Sequence, residues 1–344
     1  MPAKKRVTHR DVAELAGVST AVVSYVMNDG PRATSPEARD RVLEAIKALK
    51  YHPSAAARGL RLRQTRTIGF ISYDYYPQDA FVAPYNAGVM TGLTTALLAK
   101  RHYILPYPVG VGEDLSGLRE LLHSGRLDGV VVRLAEEPPI TDSLLDTIAA
   151  AGVPGVCIER AGAPRFGFSS VTYDDEGAAF AATTYLINKG HRRIAHIQGD
   201  VRQVAARDRF AGYTRALTEA GLCVDGDLVQ GGSWRSADGA AGMRRLLNLE
   251  VAPTAVFTAN DYLALSIIEV LRDYGRRIPD DMAIIGFDDV PLSRVLVPPL
   301  TTVQIPFADL GQKAADLVLR ITQGNDDAPV AETVQLELIH RGTT

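Results

Sequence analysis

The stretch VTHRDVAELAGVSTAVVSYVMN, residues 7–28, decides the fold of the amino-terminal part of the chain. Thr8 is suited to cap a helix that runs from Asp11 to Ala16. The predicted apolar face of this helix consists of Val12, Leu15 and Ala16. Gly17 ends the helix and Ser19 caps the next one. Two short helices joined by a tight turn that contains glycine predict a helix-turn-helix.

The second helix of this pair, Thr20–Met27, has an inward and an outward face. Its inward residues are predicted to be Val22, Val23 and Val26, and its outward residues Thr20, Ala21, Ser24 and Tyr25. Ser35 followed by Pro36 predicts the start of a third helix. That helix completes a three-helix core with Val42, Ile46 and Leu49. The length and small outward side chains of the second helix suit a DNA major groove.

Charge is distributed unevenly along the 344 residues. Residues 1–66 hold 13 basic and 6 acidic side chains, a net +7, and the remainder holds 24 and 34, a net −10. A basic head on an acidic body is expected when one end of a protein meets a polyanion. Solvated surface charge gives the same count, so the motifs have to decide between the two interpretations.

Composition excludes several other classes of protein. Hydrophobic residues make up 46% and charged residues 22% of the chain, and no uncharged apolar run reaches the ~18 residues that a membrane span needs. The basic start is followed by polar residues where a secretory signal would be apolar. Only Cys157 and Cys223 are present, too few for a disulfide framework. We therefore expect a cytoplasmic protein that has no contact with a membrane.

From Thr67 onward, short apolar runs alternate with helical stretches, which predicts parallel sheets covered by helices. The alternation occurs in two sets, and it predicts two α/β lobes joined by crossing segments. A ligand of such a fold binds between the lobes, at the carboxyl ends of the strands.

Three segments resemble the lactose-repressor (LacI) family. They are residues 7–19 with Val23, Ser24 and Asn28, residues 51–61, and residues 66–71. The resemblance implies a helix-turn-helix domain over 1–50, a hinge helix and linker over 51–66, and an effector-binding and dimerisation domain over 67–344. It implies that this last domain has the periplasmic-binding-protein fold, with lobe one at about 67–168 and 300–324 and lobe two at about 169–299 and 325–344. Pro298–Val303 resembles the return crossing into lobe one.

The resemblance also implies which residues contact DNA. Thr20, Ala21 and Tyr25 would read base edges, Ser19 and Ser24 would bind phosphates, and Leu60 would wedge between base pairs in the minor groove. The full predicted set is Thr8, Ser19, Thr20, Ala21, Ser24, Tyr25, Asn28, Ala57, Leu60 and Arg61. Tyr25 departs from the long polar residue of many members. Two alternatives remain: the hydroxyls merely cap helices, and residues 53–62 form a flexible linker.

The body contains four further segments that resemble the family, at Lys189–Ile194, Arg209–Tyr213, Thr258–Asp261 and Ile285–Val290. The implied effector-binding residues are Arg209, Trp234, Asn260, Asp288, Asp74, Tyr75, Arg133, Glu159 and Asp175. Taken singly, an arginine on a helix is more often solvated and a lone tryptophan more often part of a core. The combination favours a sugar or a polyol as effector, because an indole suits the apolar face of a sugar ring. A nucleobase or another metabolite is the alternative.

Together these features predict a homodimeric transcription regulator, most simply a repressor, that binds pseudo-palindromic operator DNA under allosteric control by a small molecule. A leucine-heptad tail is not seen after residue 339, so a dimer is preferred to a tetramer. A solute-binding protein is the first alternative, because the body alone would support it. An enzyme is disfavoured because catalytic motifs are not found, and no cofactor or metal is expected.

Overall fold

The computed structural model describes residues 7–28, 34–51, 64–74, 84–135, 141–159, 166–325 and 329–344. The predicted hinge residues Ala57, Leu60 and Arg61 and the cleft residue Tyr75 lie outside these ranges. The chain divides into two compact units, Met1–Thr65 and Arg66–Thr344, which we call the head and the body.

The head contains three helices, α1 (His9–Ala16), α2 (Thr20–Asn28) and α3 (Pro36–Ala48). Thr8 caps α1 as predicted: its Oγ1 accepts a hydrogen bond from the Asp11 N–H at 3.4 Å, and the Asp11 carboxylate accepts one from the Thr8 N–H at 2.7 Å. This reciprocal capping box satisfies two backbone donors at the helix start. Ser35 caps α3 by accepting a hydrogen bond from the Ala38 N–H at 3.2 Å.

The core of the head is made by apolar residues of all three helices. Its buried members are Val12, Ala13, Ala16, Val23, Val26, Val42, Ala45 and Tyr51. The prediction for Leu15 is wrong, since this side chain is 55% exposed. The buried face of α1 consists of Val12, Ala13 and Ala16. Leu15 lies on another side of the helix and points outward.

The body contains two six-stranded sheets. Lobe one has the strand order β11-β5-β4-β3-β1-β2, and its sheet is parallel throughout. Its strands are β1 (Thr67–Asp74), β2 (Tyr103–Gly110), β3 (Gly129–Leu134), β4 (Gly155–Glu159), β5 (Ser169–Thr172) and β11 (Ala331–Thr333). Its covering helices include α4 (Pro84–Ala99), α5 (Ser116–His123), α6 (Asp142–Ala150) and α11 (Phe307–Thr322).

Lobe two has the order β12-β10-β9-β8-β6-β7, and only β12 is antiparallel to its neighbour. Its strands are β6 (Ile194–Gln198), β7 (Val229–Gly231), β8 (Ala255–Thr258), β9 (Ala283–Asp288), β10 (Thr301–Gln304) and β12 (Glu337–Ile339). Its helices are α7 (Asp175–Asn188), α8 (Val204–Glu219), α9 (Ser236–Leu247) and α10 (Asp261–Asp273). The sequence β2-β1-β3-β4-β5 in lobe one thus corresponds to β7-β6-β8-β9-β10 in lobe two.

Three predicted lobe assignments are wrong. Residues 169–172 pair with β4 and belong to lobe one, whereas residues 301–304 pair with β9 and belong to lobe two. The return crossing therefore follows Gln304 rather than spanning Pro298–Val303. Residues 331–333, predicted in lobe two, pair with β5 and belong to lobe one, whereas residues 337–339 pair with β10 in lobe two as predicted. The bounds implied by the resemblance are approximate, and chain crossings leave no periodic hydrophobic signal that would have refined them.

Helices α4 and α11 of lobe one pack backbone to backbone. A Cβ atom at Gly92 would lie 1.9 Å from the Ala308 carbonyl oxygen, and one at Gly311 would lie 2.2 Å from the Val89 carbonyl oxygen. Both distances are far below van der Waals contact. Glycine at these two positions is what allows the helices to approach so closely.

Candidate functional site

The outward face of α2 carries the four predicted base-reading and phosphate-binding residues. Thr20 and Ala21 are exposed in its first turn, and Ser24 and Tyr25 are half-buried one turn later. The buried residues Val23 and Val26 hold the opposite face against the head core. This arrangement leaves a short row of small and hydroxyl-bearing side chains accessible on one side of the helix.

Two of the predicted DNA-contacting residues, Ser19 and Thr8, have a local structural role. The Ser19 Oγ accepts a hydrogen bond from the Val22 N–H at 3.3 Å. The Thr8 hydroxyl donates to the Asp11 carboxylate at 2.8 Å. Helix capping is therefore shown for both residues, and their contact with DNA stays a prediction. Asn28 is the last residue of α2.

In lobe one, three predicted residues meet at the carboxyl end of the sheet. Asp74 ends β1, Arg133 lies near the end of β3 and Glu159 ends β4. These parallel strands are neighbours, so their carboxyl ends share one edge of the sheet. The Arg133 guanidinium contacts the Asp74 carboxylate, and its Nε lies 2.8 Å from Glu159 Oε2. It also lies 4.5 Å above the centre of the Tyr85 ring. We call Asp74, Arg133 and Glu159 the lobe-one triad.

Lobe two presents a matching group, which we call the lobe-two triad: Asp175, Arg209 and Asp288. Arg209 Nε is 2.7 Å from Asp175 Oδ1, and its Nη1 is 3.4 Å from Asp288 Oδ1. Nη1 also donates to the Ala259 carbonyl, and the guanidinium lies 3.7 Å from the centre of the Phe287 ring. The Arg209 side chain is only 4% exposed. Both triads therefore place one buried arginine between two carboxylates.

Glu159 and Asp288 occupy corresponding places, at the ends of β4 and β9. Each has a left-handed backbone, with φ of 76° and 111° respectively. Such conformations are unfavourable for residues with a side chain, and they concentrate at functional sites. Burial raises the pKa of Glu159 to about 7 and that of Asp288 to about 8, against the opposing effect of the neighbouring arginine in each case. Both carboxyl groups can thus exchange a proton near neutral pH.

The two lobes are joined by hydrogen bonds that the sequence did not predict. The Gln203 side-chain amide donates to Asp74 Oδ1 at 2.9 Å and accepts from Trp234 Nε1 at 2.6 Å. Next to it, the Val204 N–H donates to the Ala135 carbonyl at 3.2 Å. Gln203 is 6% exposed. It connects the lobe-one triad to the predicted ligand-contacting indole.

A cavity of about 220 Å³ lies between the lobes. Its uncharged walls come from both lobes: Leu134, Ala135, Thr172, Tyr173, Val204 and Ala205. Glu159, Asp175 and Asp208 supply its charged walls. The cavity therefore touches one member of each triad, and it is small enough to suit a metabolite rather than a macromolecule.

The remaining predicted cleft residues have different surroundings. Trp234 is half-buried, and its ring covers Gly199 so closely that a Cβ there would lie 2.5 Å from it. Arg209 is 5.9 Å from the centre of the same ring. The Asn260 Oδ1 accepts a hydrogen bond from the Leu263 N–H at 2.8 Å and thereby caps α10. Asn260 thus has a structural role, and its contact with an effector stays a prediction.

Sequence reasoning missed Gln203, Tyr173 and Asp208. Gln203 and Tyr173 each follow a strand of a parallel sheet, and the rule that ligands bind at the carboxyl ends of strands would have found them. Asp208 lies near the start of α8 (Val204–Glu219), next to Arg209. The charged residues in these first turns give little apolar periodicity by which the start of the helix could be recognised.

Within the described ranges, no helix is both long and apolar enough to cross a membrane. In the same ranges, no group of three or more His, Cys, Asp and Glu side chains is placed to hold a metal ion.

Comparison with known proteins agrees with this two-part architecture. Residues 8–54 match the model of bacterial regulatory proteins of the lacI family, and residues 183–344 match that of a periplasmic binding protein-like domain. The chain is 35% identical over 342 residues to the HTH-type transcriptional regulator CelR of Thermobifida fusca, covering 99% of both chains. It is 34% identical over 328 residues to the HTH-type transcriptional repressor PurR of Haemophilus influenzae, covering 93% of this chain and 92% of the relative.

Solved structures give the same result. A complex of the regulator CelR with cellobiose has a TM-score of 0.72 at 34% identity, covering 98% of this chain and all of that one. The Lac repressor dimer bound to operator and the anti-inducer ONPF has a TM-score of 0.86 at 25% identity, covering 99% of both.

The fold and the matches define a helix-turn-helix regulator with a periplasmic-binding-protein-like domain, as the sequence predicted. The chain belongs to the lacI family of bacterial regulatory proteins, and it is a DNA-binding transcription regulator. The match covers the head as well as the body, which sets aside a solute-binding protein without a DNA role. The relatives are transcription regulators, which favours regulation over catalysis.

Proposed function

We propose that this regulator binds a pseudo-palindromic operator as a homodimer, and that a small molecule between the lobes sets its affinity for that operator. The observation that carries the proposal is the cavity bordered by one triad from each lobe. A ligand that contacts both lobes favours one relative orientation of them, to the extent that it binds the two orientations unequally. Hydrogen bonds between the lobes, such as that from Gln203 to Asp74, stabilise the relative orientation that the lobes have in this structure.

On the DNA side, α2 enters the major groove with Thr20, Ala21 and Tyr25 toward the base edges. A threonine hydroxyl can bond to a base, an alanine methyl can contact the thymine methyl, and tyrosine offers a ring and a hydroxyl. Leu60, outside the described residues, wedges into the minor groove at the operator centre and kinks the duplex. Repression is the expected outcome of binding.

Coupling follows from dimer geometry. If two bodies associate through both lobes, rotation of one lobe changes the separation of the segments that lead to the two heads. That separation decides whether both α2 helices fit the two half-sites of one operator together. Control by the ligand then needs a coupling free energy between ligand binding and operator binding of about 1–3 kcal/mol, which is typical of allosteric proteins.

We propose a sugar or a polyol as the effector class. Paired carboxylates and arginines offer acceptors and donors to hydroxyl groups, and the Trp234 indole offers a flat apolar face. The related regulator CelR forms a complex with cellobiose, which makes cellobiose the first ligand to test here. Nucleobases are the second class to test. We also propose that the protein acts in the cytoplasm, because the thiols of Cys157 and Cys223 are free and a reducing compartment keeps thiols in this form.

The test begins with operator sequences selected from a random DNA library by the full-length protein. Fluorescence anisotropy then measures the Kd for the selected operator, with and without each compound that raises the Tm. We expect one compound to change the operator Kd by about 5-fold to 150-fold. Identical operator titrations with and without every compound that stabilises the body would refute allosteric control.

Variants separate the two halves of the proposal. Tyr25→Ala and Leu60→Ser should weaken operator binding and leave ligand-induced stabilisation unchanged. Arg209→Ala should remove the stabilisation by ligand and leave operator binding in its absence measurable. If the best ligand raises the Tm of Arg209→Ala as much as that of the wild type, the cleft assignment is wrong.

A further inference from the structure

Gln203 precedes α8, at a position where a side chain usually caps the helix. Residues preferred there accept hydrogen bonds from the first N–H groups of the helix. Helix α8 is described over its whole length, and the Gln203 side chain caps none of its N–H groups. The carboxamide instead crosses to lobe one, where Nε2 donates to Asp74 Oδ1 at 2.9 Å. Gln203 thus makes a bond between the lobes in place of a bond within its own helix.

The carboxamide of Gln203 matches both of its partners. An ionised carboxylate only accepts hydrogen bonds, and an indole has a single N–H to donate. Gln203 supplies a donor to Asp74 with its Nε2, and with its Oε1 it accepts from Trp234 Nε1 at 2.6 Å. The single N–H of Trp234 is thereby engaged, together with one of the two carboxylate oxygens of Asp74.

Asp74 and Trp234 are also two of the residues predicted to bind the effector. A hydroxyl group both donates and accepts hydrogen bonds, so a hydroxyl of a sugar or a polyol can take over either partner from the carboxamide. Competition is strict at Trp234, because one N–H cannot make a full bond to Gln203 and to an effector at the same time. Gln203 therefore holds polar groups that the effector needs.

The junction between the lobes borders the proposed effector site. Val204, the next residue, donates from its N–H to the Ala135 carbonyl at 3.2 Å, and both of these residues line the cavity. A hydrogen bond to a charged group is stronger than one between neutral groups, so the bond from Gln203 to Asp74 is the stronger of the two. Because Val204 follows Gln203 directly, displacing the carboxamide weakens both bonds.

We propose that the Gln203 carboxamide is an internal competitor of the effector. Without effector it engages Asp74 and Trp234 and holds the lobes in the orientation described above. The effector takes over these partners and releases lobe two from lobe one. This inference rests on the proposed sensor role of the cleft and adds how that cleft is held when no effector is bound. Removing the carboxamide should then shift operator affinity in the same direction as the effector does.

Operator binding without any small molecule is the first test. Fluorescence anisotropy compares the wild type with Gln203→Ala and with Gln203→Glu, which keeps the acceptor for Trp234 but places a carboxylate against Asp74. Both variants should change the operator Kd in the same direction, by about 5-fold or more, the lower end of typical allosteric coupling. Gln312→Ala, which replaces an exposed glutamine of α11, is the matched control and should keep the wild-type Kd. Wild-type operator binding by both Gln203 variants would overturn the proposal.

Hydrogen–deuterium exchange shows whether the lobes separate. Peptides that contain the Val204 amide should exchange faster in Gln203→Ala and Gln203→Glu, because the bond of this amide to Ala135 is weakened. The amides of β6 belong to the same lobe and should keep their wild-type exchange, which distinguishes separation of the lobes from unfolding of lobe two. Unchanged exchange at Val204 in both variants would contradict the role of Gln203 in holding the lobes.

The direction of the change in affinity identifies competition. Isothermal titration calorimetry measures the binding of cellobiose, glucose and adenine to the wild type and to Gln203→Ala. A compound that competes with the carboxamide should bind the variant about 5-fold or more tightly. It should also shift the operator Kd of the wild type in the direction in which the variant has already shifted it. A residue that only contacts the effector would give weaker binding when removed, so weaker or unchanged binding by Gln203→Ala would reject the proposal.

Failure of this proposal is distinguishable from failure of the sensor role. A compound that shifts the operator Kd of the wild type and of Gln203→Ala by the same factor would reject competition and support the sensor. If no compound of the wider screen changes operator binding by the wild type, the sensor role fails, and the proposed competition fails with it.

Discussion

Replacing Arg209 by alanine should destabilise the body far more than replacing another arginine of the same helix. Arg209 is 4% exposed and holds Asp175 at 2.7 Å and Asp288 at 3.4 Å. Removing it takes the guanidinium away from both carboxylates, and breaking a buried ion pair by removing one partner costs about 3–5 kcal/mol. Arg215, also in α8, pairs with Glu176 in an arrangement where both side chains are more than 40% exposed. The cost of Arg215→Ala should therefore be about 0–1 kcal/mol.

Urea unfolding of the two variants and the wild type measures the difference. The chain contains a single tryptophan, Trp234, so its fluorescence reports unfolding of the body, and circular dichroism provides a second signal. Arg209→Lys should fall between wild type and Arg209→Ala, because lysine keeps the charge but cannot bond to Asp175 and the Ala259 carbonyl in the same fork. Equal free energies of unfolding for Arg209→Ala and Arg215→Ala would refute the buried ion-pair argument.

Three further predictions concern the head, the pH dependence and the helix packing. Thr8→Ala should lower the free energy of unfolding of the head by about 1 kcal/mol through loss of the α1 cap, measured by thermal unfolding, and Thr8→Ser should restore it. The raised pKa of Asp288, about 8, adds stability that is complete below about pH 4 and is lost as the pH rises through 8. Asp288→Asn should therefore flatten the change in urea midpoint between about pH 6 and 9, and an unchanged slope would contradict this. Gly92→Ala should cost about 1–3 kcal/mol or more by overpacking α4 against α11, whereas Gly226→Ala, where a Cβ meets nothing within 4 Å, should change the urea midpoint little.

The local signals in the sequence predicted the head well. Thr8, Gly17 and Ser35 act through bonds to residues within a few positions, so their roles can be recognised from short stretches of sequence. Leu15 was misplaced because a single helix offers several plausible apolar faces, and tertiary packing chooses among them. The start of α8 is hard to recognise for a different reason. Its first turns carry Arg207, Asp208 and Arg209 and therefore show little apolar periodicity.

The candidate site was predicted residue by residue but not as an arrangement. The resemblance supplied Asp74, Arg133, Glu159, Asp175, Arg209 and Asp288. It did not show that they form two triads, since the pairing depends on which strand ends are neighbours. Asp261, next to the predicted cleft residue Asn260, has a structural role that the resemblance did not indicate. It is a buried acceptor for the Val290 N–H and for the Ser293 and Thr302 hydroxyls.

The chain passes between the lobes three times within the described residues, at 173–174, at 305–306 and at 334–336. The first and third passages leave the neighbouring strands β5 and β11 of lobe one, and the second leaves β10 of lobe two, beside the strand β12 that the third enters. The three passages therefore run side by side. Three connections side by side oppose sliding of one lobe past the other. Rotation of the lobes about the line of the connections is then the least hindered motion. Atoms near that line, such as those of Tyr173, move least, and the far ends of both lobes move most. A compound bound beside Tyr173 lies close to this axis. A small difference in its size therefore displaces the far ends of the lobes by a larger distance than it displaces the residues around the compound.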